Sequence, residues 1–197
     1  MVKRERKRQR LGVQDALWLE MDRPNNLMVV DSVIWTAEPL DFAKVRAVLT
    51  ERLLRRYPVF RSRAVRDDDG SWWWEHDPHF KLDNHVALVS LANPDDPRAL
   101  QDLVAAHRND MLDRDRPLWQ AIWVKRYREG SAVILRSHHA IADGMRMVQL
   151  SMSLFDAEPE VGPILAPSLN QVAARPPQAP GQSLSNRLRS GAADVIR

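Results

Sequence analysis

Apolar residues along this 197-residue chain follow two rhythms. The first consists of short runs rich in β-branched and aromatic residues, each bounded by turn formers. "LMVVDSVIW" (27–35) follows "RPNN" (23–26) and reads as a strand. Further strands are expected around 59–66, at 71–76 ("SWWWEH") and at 86–91 ("VALVSL"), separated by "DDDG" and "DPHFKLDN". "WQAIWVKRY" (119–127) and "SAVILRS" (131–137) flank "REG" and predict a β-hairpin. The second rhythm is helical. Phe42, Val45, Val48, Leu49 and Leu53 share one face after Asp41, an N-cap residue, and Pro58 closes the helix. Leu100, Leu103, Val104, His107 and Met111 repeat that spacing after Pro97. Met147, Val148, Ser151, Leu154 and Phe155 suggest a third helix.

This order of elements predicts an α/β (α+β) fold, a mixed sheet flanked by helices. The pattern stops after residue 157. Residues 158–197 are rich in proline and almost without periodicity, which reads as a linker.

Charge changes the picture at the N-terminus. Six of the 29 basic residues (Lys3, Arg4, Arg6, Lys7, Arg8 and Arg10) lie in the first ten positions with one acid, Glu5. What remains is 23 basic against 25 acidic residues, so the body is no basic nucleic-acid-binding domain. The arm at 1–10 reads either as a solvated tail or as a segment attracted to anionic headgroups. No apolar run approaches the roughly 20 residues needed to span a bilayer, and no secretory signal follows the arm. With no cysteine there is no disulfide frame, thiol nucleophile or thiolate metal site. The chain is expected to be intracellular and soluble.

Candidate chemistry sits in "SHHAIADG" (137–144), directly after the second hairpin strand. Adjacent histidines point in different directions, and His139 with Asp143 supplies two metal ligands at most, so no metal is expected. His76, His79 and His85 are irregularly spaced and read as surface or strand positions. A general base fits the loop better, because a neutral imidazole can take a proton from a hydroxyl or thiol attacking a carbonyl. Asp143 would either pair with an arginine such as Arg136 or Arg146, or orient the ring through its other nitrogen. Gly144 removes a side chain where substrate or backbone must approach. No serine or cysteine nucleophile motif accompanies these residues, which favours direct transfer between two bound substrates.

"HHAIADG" (138–144) matches the HHxxxDG signature of coenzyme A-dependent acyltransferases and peptide condensation domains. "GVQDALWLEMDRPNNLMVVDSVIW" (12–35), "RLLRRYPVFRSRAV" (52–65) and "RPLW" (116–119) narrow the match. Over residues 11–157 the chain resembles the N-terminal half of the bacterial wax ester synthase/diacylglycerol acyltransferase family. The resemblance implies a chloramphenicol acetyltransferase-like half-domain. His139 would be the general base acting on a diacylglycerol or fatty alcohol hydroxyl, which attacks acyl-CoA. Asp143 would support the loop, Gly144 would leave room beside the base, and His138 would contribute little chemistry. Pro117, Leu118 and Trp119 would support the site, or simply start a strand with an anchoring tryptophan. No cofactor is implied, since acyl-CoA is a substrate. A C-terminal half or second chain is expected to complete the site. The enzyme would be cytoplasmic, peripheral at the inner face of the membrane or on lipid droplets, with no nucleic-acid partner. A condensation-type acyltransferase using carrier-bound substrates and a non-catalytic lipid- or partner-binding remnant are the alternatives.

Overall fold

The two hairpin strands are apolar on both faces, and a strand with that pattern belongs at the centre of a sheet. β6 (Trp119–Tyr127) and β7 (Gly130–His138) pair antiparallel there, between β2 (Val29–Trp35) on β7 and β5 (Val86–Val89) on β6. The β5–β6 pairing is parallel, so the sheet is mixed, as the order of elements predicts. The computed structural model describes residues 8–155. The proline-rich segment expected at 158–197 and the first seven residues of the arm lie outside them.

Helices cover both faces of this sheet. Leu100 of α3 (Pro97–His107) packs with Ile122, Val124, Ala132 and Ile134 on one side. Trp123 faces the other side, because successive strand residues alternate. Its ring stacks on Phe42 of α2 (Phe42–Val48) at 5.0 Å. Both helices start as their sequences predict. Asp41 accepts the Ala43 N–H at 3.3 Å, and Asp96 accepts the Arg98 N–H at 2.9 Å ahead of Pro97. The hairpin turn explains one glycine: a Cβ on Gly130 would lie 1.8 Å from the Thr36 carbonyl oxygen.

Several boundaries differ from the sequence reading. The helix from Asp41 winds as α-helix only to Val48, then as a wider turn over Leu49–Leu54. The segment Pro58–Arg61 is a 3₁₀ turn, so β3 (Ser62–Arg66) starts later than residue 59. Met111 is off the second helix and exposed. The helix ends at His107, where Asp110 turns the chain by donating its N–H to the His107 carbonyl and accepting at its carboxylate from the His107 ring. In α4 (Gly144–Met152) the inward residues are Met147 and Leu150, followed by Leu154. Val148 and Phe155, expected on that face, are exposed.

Two segments carry structure the apolar pattern does not predict. Arg8–Arg10, read from charge as the end of a solvated arm, forms β1 on the edge of a second antiparallel sheet, β1–β4–β3, where β4 is Trp72–His76. The cause is electrostatic. The Glu75 carboxylate is buried, and Arg8 meets it at 2.6 Å while also reaching Asp67 at 3.0 Å. Residues Val13–Met21 form α1, whose Val13, Leu17 and Met21 are exposed and whose Leu19 alone is fully buried. Such a helix shows no clean apolar stripe.

Candidate active site

β7 ends on His138, and the turn that follows delivers the chain to α4. Three backbone hydrogen bonds fix this corner. The His138 N–H donates to the Leu118 carbonyl (3.0 Å), the His139 N–H to the Met28 carbonyl (2.7 Å), and the Ile141 N–H to the His138 carbonyl (2.9 Å).

The two histidines face different surroundings. His138 is 1% exposed. Its Nδ1 accepts the Ala140 N–H at 3.0 Å, so the neutral ring carries its proton on Nε2. Nε2 lies 3.5 Å from Asp22 Oδ2, too far for a strong hydrogen bond. Burial holds the His138 pKa down at about 4; the Asp22 charge opposes that and Arg114 adds to it. His138 is therefore a neutral interior ring at ordinary pH. His139 is half-buried, and its ring stacks on Trp18 of α1 with centroids 4.7 Å apart. Its Nδ1 is buried without a hydrogen-bond partner.

Asp143 caps α4. Its Oδ1 accepts the Arg146 N–H at 2.9 Å, and its Oδ2 lies 3.8 Å from Arg146 Nε. Of the two arginines weighed as its partner, Arg136 is engaged elsewhere. It is buried in β7, donates to Asp31 on the facing strand at 3.0 Å, and donates to the Asp110 carbonyl. No hydrogen bond joins Asp143 to either histidine, so it does not orient the ring. A Cβ on Gly144 would meet nothing within 4 Å, so the space beside the loop is open but no neighbouring backbone requires glycine there.

Pro117, Leu118 and Trp119 are buried and act from behind. Leu118 supplies the carbonyl that holds His138. Trp119 donates its indole N–H to the Phe60 carbonyl at 2.8 Å and stacks on His85 at 4.8 Å. His85 thus departs from its surface-or-strand reading. It is a core histidine, its Nδ1–H donating to the Trp119 carbonyl at 2.9 Å, with its pKa pushed down chiefly by burial. His76 is exposed at the end of β4 and His79 lies in the turn after it. Among the described residues, no three His, Cys, Asp or Glu side chains converge to hold a metal ion.

Residue-by-residue reading missed four neighbours of the motif. Trp18 lies against His139. Asp22, 8% exposed, accepts the Met28 N–H at Oδ1 (2.8 Å) and a guanidinium N–H of Arg114 at Oδ2 (2.9 Å). Asp15, in the first turn of α1, feels both Arg146 and Asp143. Burial is the main cause that pushes its carboxyl up, Arg146 opposing and Asp143 adding. Trp18, Asp22 and Asp15 all lie inside the 12–35 stretch that carries the resemblance, but the fourth neighbour, Arg114, and the motif residues they meet lie far along the chain.

The profile of the wax ester synthase/diacylglycerol acyltransferase catalytic domain matches residues 11–196, beyond the 11–157 over which the motifs are legible. A Mycobacterium tuberculosis H37Rv protein provisionally named a diacylglycerol O-acyltransferase is 32% identical over 167 residues, covering 80% of this chain and 35% of that protein. One of the same provisional name from Mycobacterium bovis is 30% identical over 156 residues, covering 76% and 31%. This chain thus spans about a third of the curated relatives' length. Among solved structures, the wax ester synthase/diacylglycerol acyltransferase of Marinobacter aquaeolei VT8 superposes with a TM-score of 0.59 at 24% identity, covering 72% of this chain and 37% of that one. The starter condensation domain of rhizomide synthetase gives 0.61 at 17%, covering 84% and 43%. Over the matched parts these two share the fold, a mixed sheet between helices. The sequence match over nearly the whole chain is more specific: the chain belongs to the wax ester synthase/diacylglycerol acyltransferase family.

Proposed function

We propose that this chain carries the base of an O-acyltransferase that moves a fatty acyl group from acyl-CoA to diacylglycerol or a long-chain alcohol. The observation that carries this reading is the outer histidine: His139 sits half-buried on a corner fixed by backbone hydrogen bonds, in a chain of this family. Its Nε2 takes the proton of the acceptor hydroxyl as that oxygen attacks the thioester carbonyl. The tetrahedral intermediate collapses with loss of the C–S bond, and the proton passes from Nε2 to the departing CoA thiolate. The products are an ester and free CoA. No cofactor takes part in the reaction so written.

Donors that stabilise the oxyanion and walls that exclude water are proposed to come from a C-terminal half or second chain. Each absent donor costs roughly 10²–10³ in rate. The substrates partition into lipid, so the enzyme is proposed to work at the cytoplasmic face of a membrane or lipid droplet. No helix among the described residues is long and apolar enough to cross a membrane. Lys3, Arg4, Arg6 and Lys7 would supply a salt-sensitive attraction to anionic headgroups. Arg8 and Arg10 belong to β1, so the arm is tested by deleting residues 1–7. That deletion should weaken sedimentation with phosphatidylglycerol vesicles at low salt only.

The activity is tested with radiolabelled acyl-CoA and either diacylglycerol or a long-chain alcohol, using the chain alone and mixed with the C-terminal portion of a relative. Ester formed in either case supports the proposal. Transfer only from an acyl group on a carrier protein would favour the condensation-type alternative, and no transfer from any donor would favour a binding role.

A further inference from the structure

A histidine base must be aimed. The usual device is a hydrogen bond from its second nitrogen to a carboxylate or carbonyl, which fixes both tautomer and plane. Among the described residues that device is absent around His139. Nδ1 is buried with no hydrogen-bond partner, the ring as a whole is half-buried, and no hydrogen bond joins Nε2 to another described residue. Among the described residues, none of the nearby carboxylates (Asp15, Asp22 and Asp143) is hydrogen-bonded to the ring. Asp143 is committed to the first turn of α4, and Asp22 to Met28 and Arg114.

What the ring does have is a plate. Trp18 lies against it at 4.7 Å with the planes 29° apart. The indole Nε1 is itself buried and unpartnered, so packing rather than hydrogen bonding holds it. The helix that carries Trp18 is pinned one turn later. One Arg114 nitrogen donates to the Leu19 carbonyl (2.9 Å), the Asp22 carbonyl (3.2 Å) and the Asp22 carboxylate (2.9 Å), satisfying acceptors at the C-terminal end of α1. Asp22 also receives the Met28 N–H, and the Met28 carbonyl receives the His139 N–H. One buried carboxylate thus ties the plate and the backbone of the base to a common point.

We infer that Trp18 is the positioning residue of His139. The indole, anchored through α1 by the Asp22–Arg114 pair, sets the plane of the imidazole in place of a hydrogen-bonded carboxylate. The inference concerns geometry and rests on the proposed acyl transfer only where its effect on rate is read.

The test uses the full chain with isotopically labelled histidine and three variants, Trp18→Phe, Trp18→Leu and Arg114→Gln. In the parent, the His139 ring protons should resonate upfield, in the ring current of the indole. Trp18→Phe should keep most of that shift and Trp18→Leu should abolish it. Arg114→Gln should reduce it, although Arg114 touches neither ring. In the acyl-transfer assay Trp18→Leu should lower kcat on the order of 10- to 100-fold, with KM for acyl-CoA changed by no more than about twofold. Trp18→Phe should restore most of the rate. An unchanged His139 resonance in Trp18→Leu overturns the inference, and so does a lost shift with kcat intact. A parent chain that transfers nothing, with or without a C-terminal portion, defeats the proposed function instead. The ring spectra of the three variants then decide the inference alone.

Discussion

The inner and outer sides of the motif corner differ more than two adjacent residues would suggest. On the inner side, His138 is enclosed by β7, the Leu118 carbonyl and the Asp22–Arg114 pair, with a pKa of about 4. On the outer side, His139 is half-buried and lies on an indole. The strand alternates, so consecutive side chains leave its end in opposite directions. In the proposed function, one motif thereby supplies an anchor and a reactive group. The lesson is that two histidines in a row need not be a pair: the first holds the corner and the second is free to use it.

The most severe way to break the comparison is on the outer side. His139→Ala should lower acyl transfer by about 10²–10⁴ in any active assembly, since it removes proton transfer in the transition state. Its melting temperature should stay close to that of the parent, because a half-buried ring without side-chain hydrogen bonds is lost. His138→Ala should give the opposite profile, destabilising by about 2–4 kcal/mol through the cavity it leaves and the Ala140 N–H it deprives of a partner. Denaturant titration of both variants beside activity assays separates the two.

Acid sharpens the inner side. The folded pKa of His138, about 4, lies below the ordinary 6.5, so the unfolded chain takes up the proton first as pH falls. The stability owed to the neutral buried ring is complete above pH 6.5 and lost between 6.5 and 4, up to about 3 kcal/mol. His138→Gln should flatten that part of the pH–stability curve, which a series of chemical melts would reveal. A smaller effect is expected at the far end of the loop. Asp143→Ala removes the cap of α4 and should cost about 1 kcal/mol by the same melts, with Asp143→Asn retaining most of it.

Much of this was legible before the structure. β6 and β7 announce themselves because central strands are apolar throughout, and α2 and α3 because their caps and proline sit at the expected ends. The roles given to His139 and Asp143 came through the resemblance, since composition and spacing alone leave two histidines equivalent. What stayed hidden depends on distant partners. α1 lacks an apolar stripe because its outward face is apolar and its inward contacts are Leu19 and the Trp18 indole. Asp22 looks like any turn aspartate until Arg114, 92 positions later, closes on it. Arg8 reads as one more charge in a basic run until buried Glu75 claims it. His85 shows no pattern at all, being held by aromatic faces from Phe80 and Trp119.

The central claim, that the outer histidine reacts while the inner one only holds, is tested most directly by covalent labelling. The full chain would be treated with diethyl pyrocarbonate near neutral pH, and the modified peptides quantified by mass spectrometry over time. The account predicts rapid modification of His139, with acyl transfer lost in step, while His138 stays protected until the protein unfolds. Modification of His138 as fast as His139, or full activity after His139 is labelled, would contradict it.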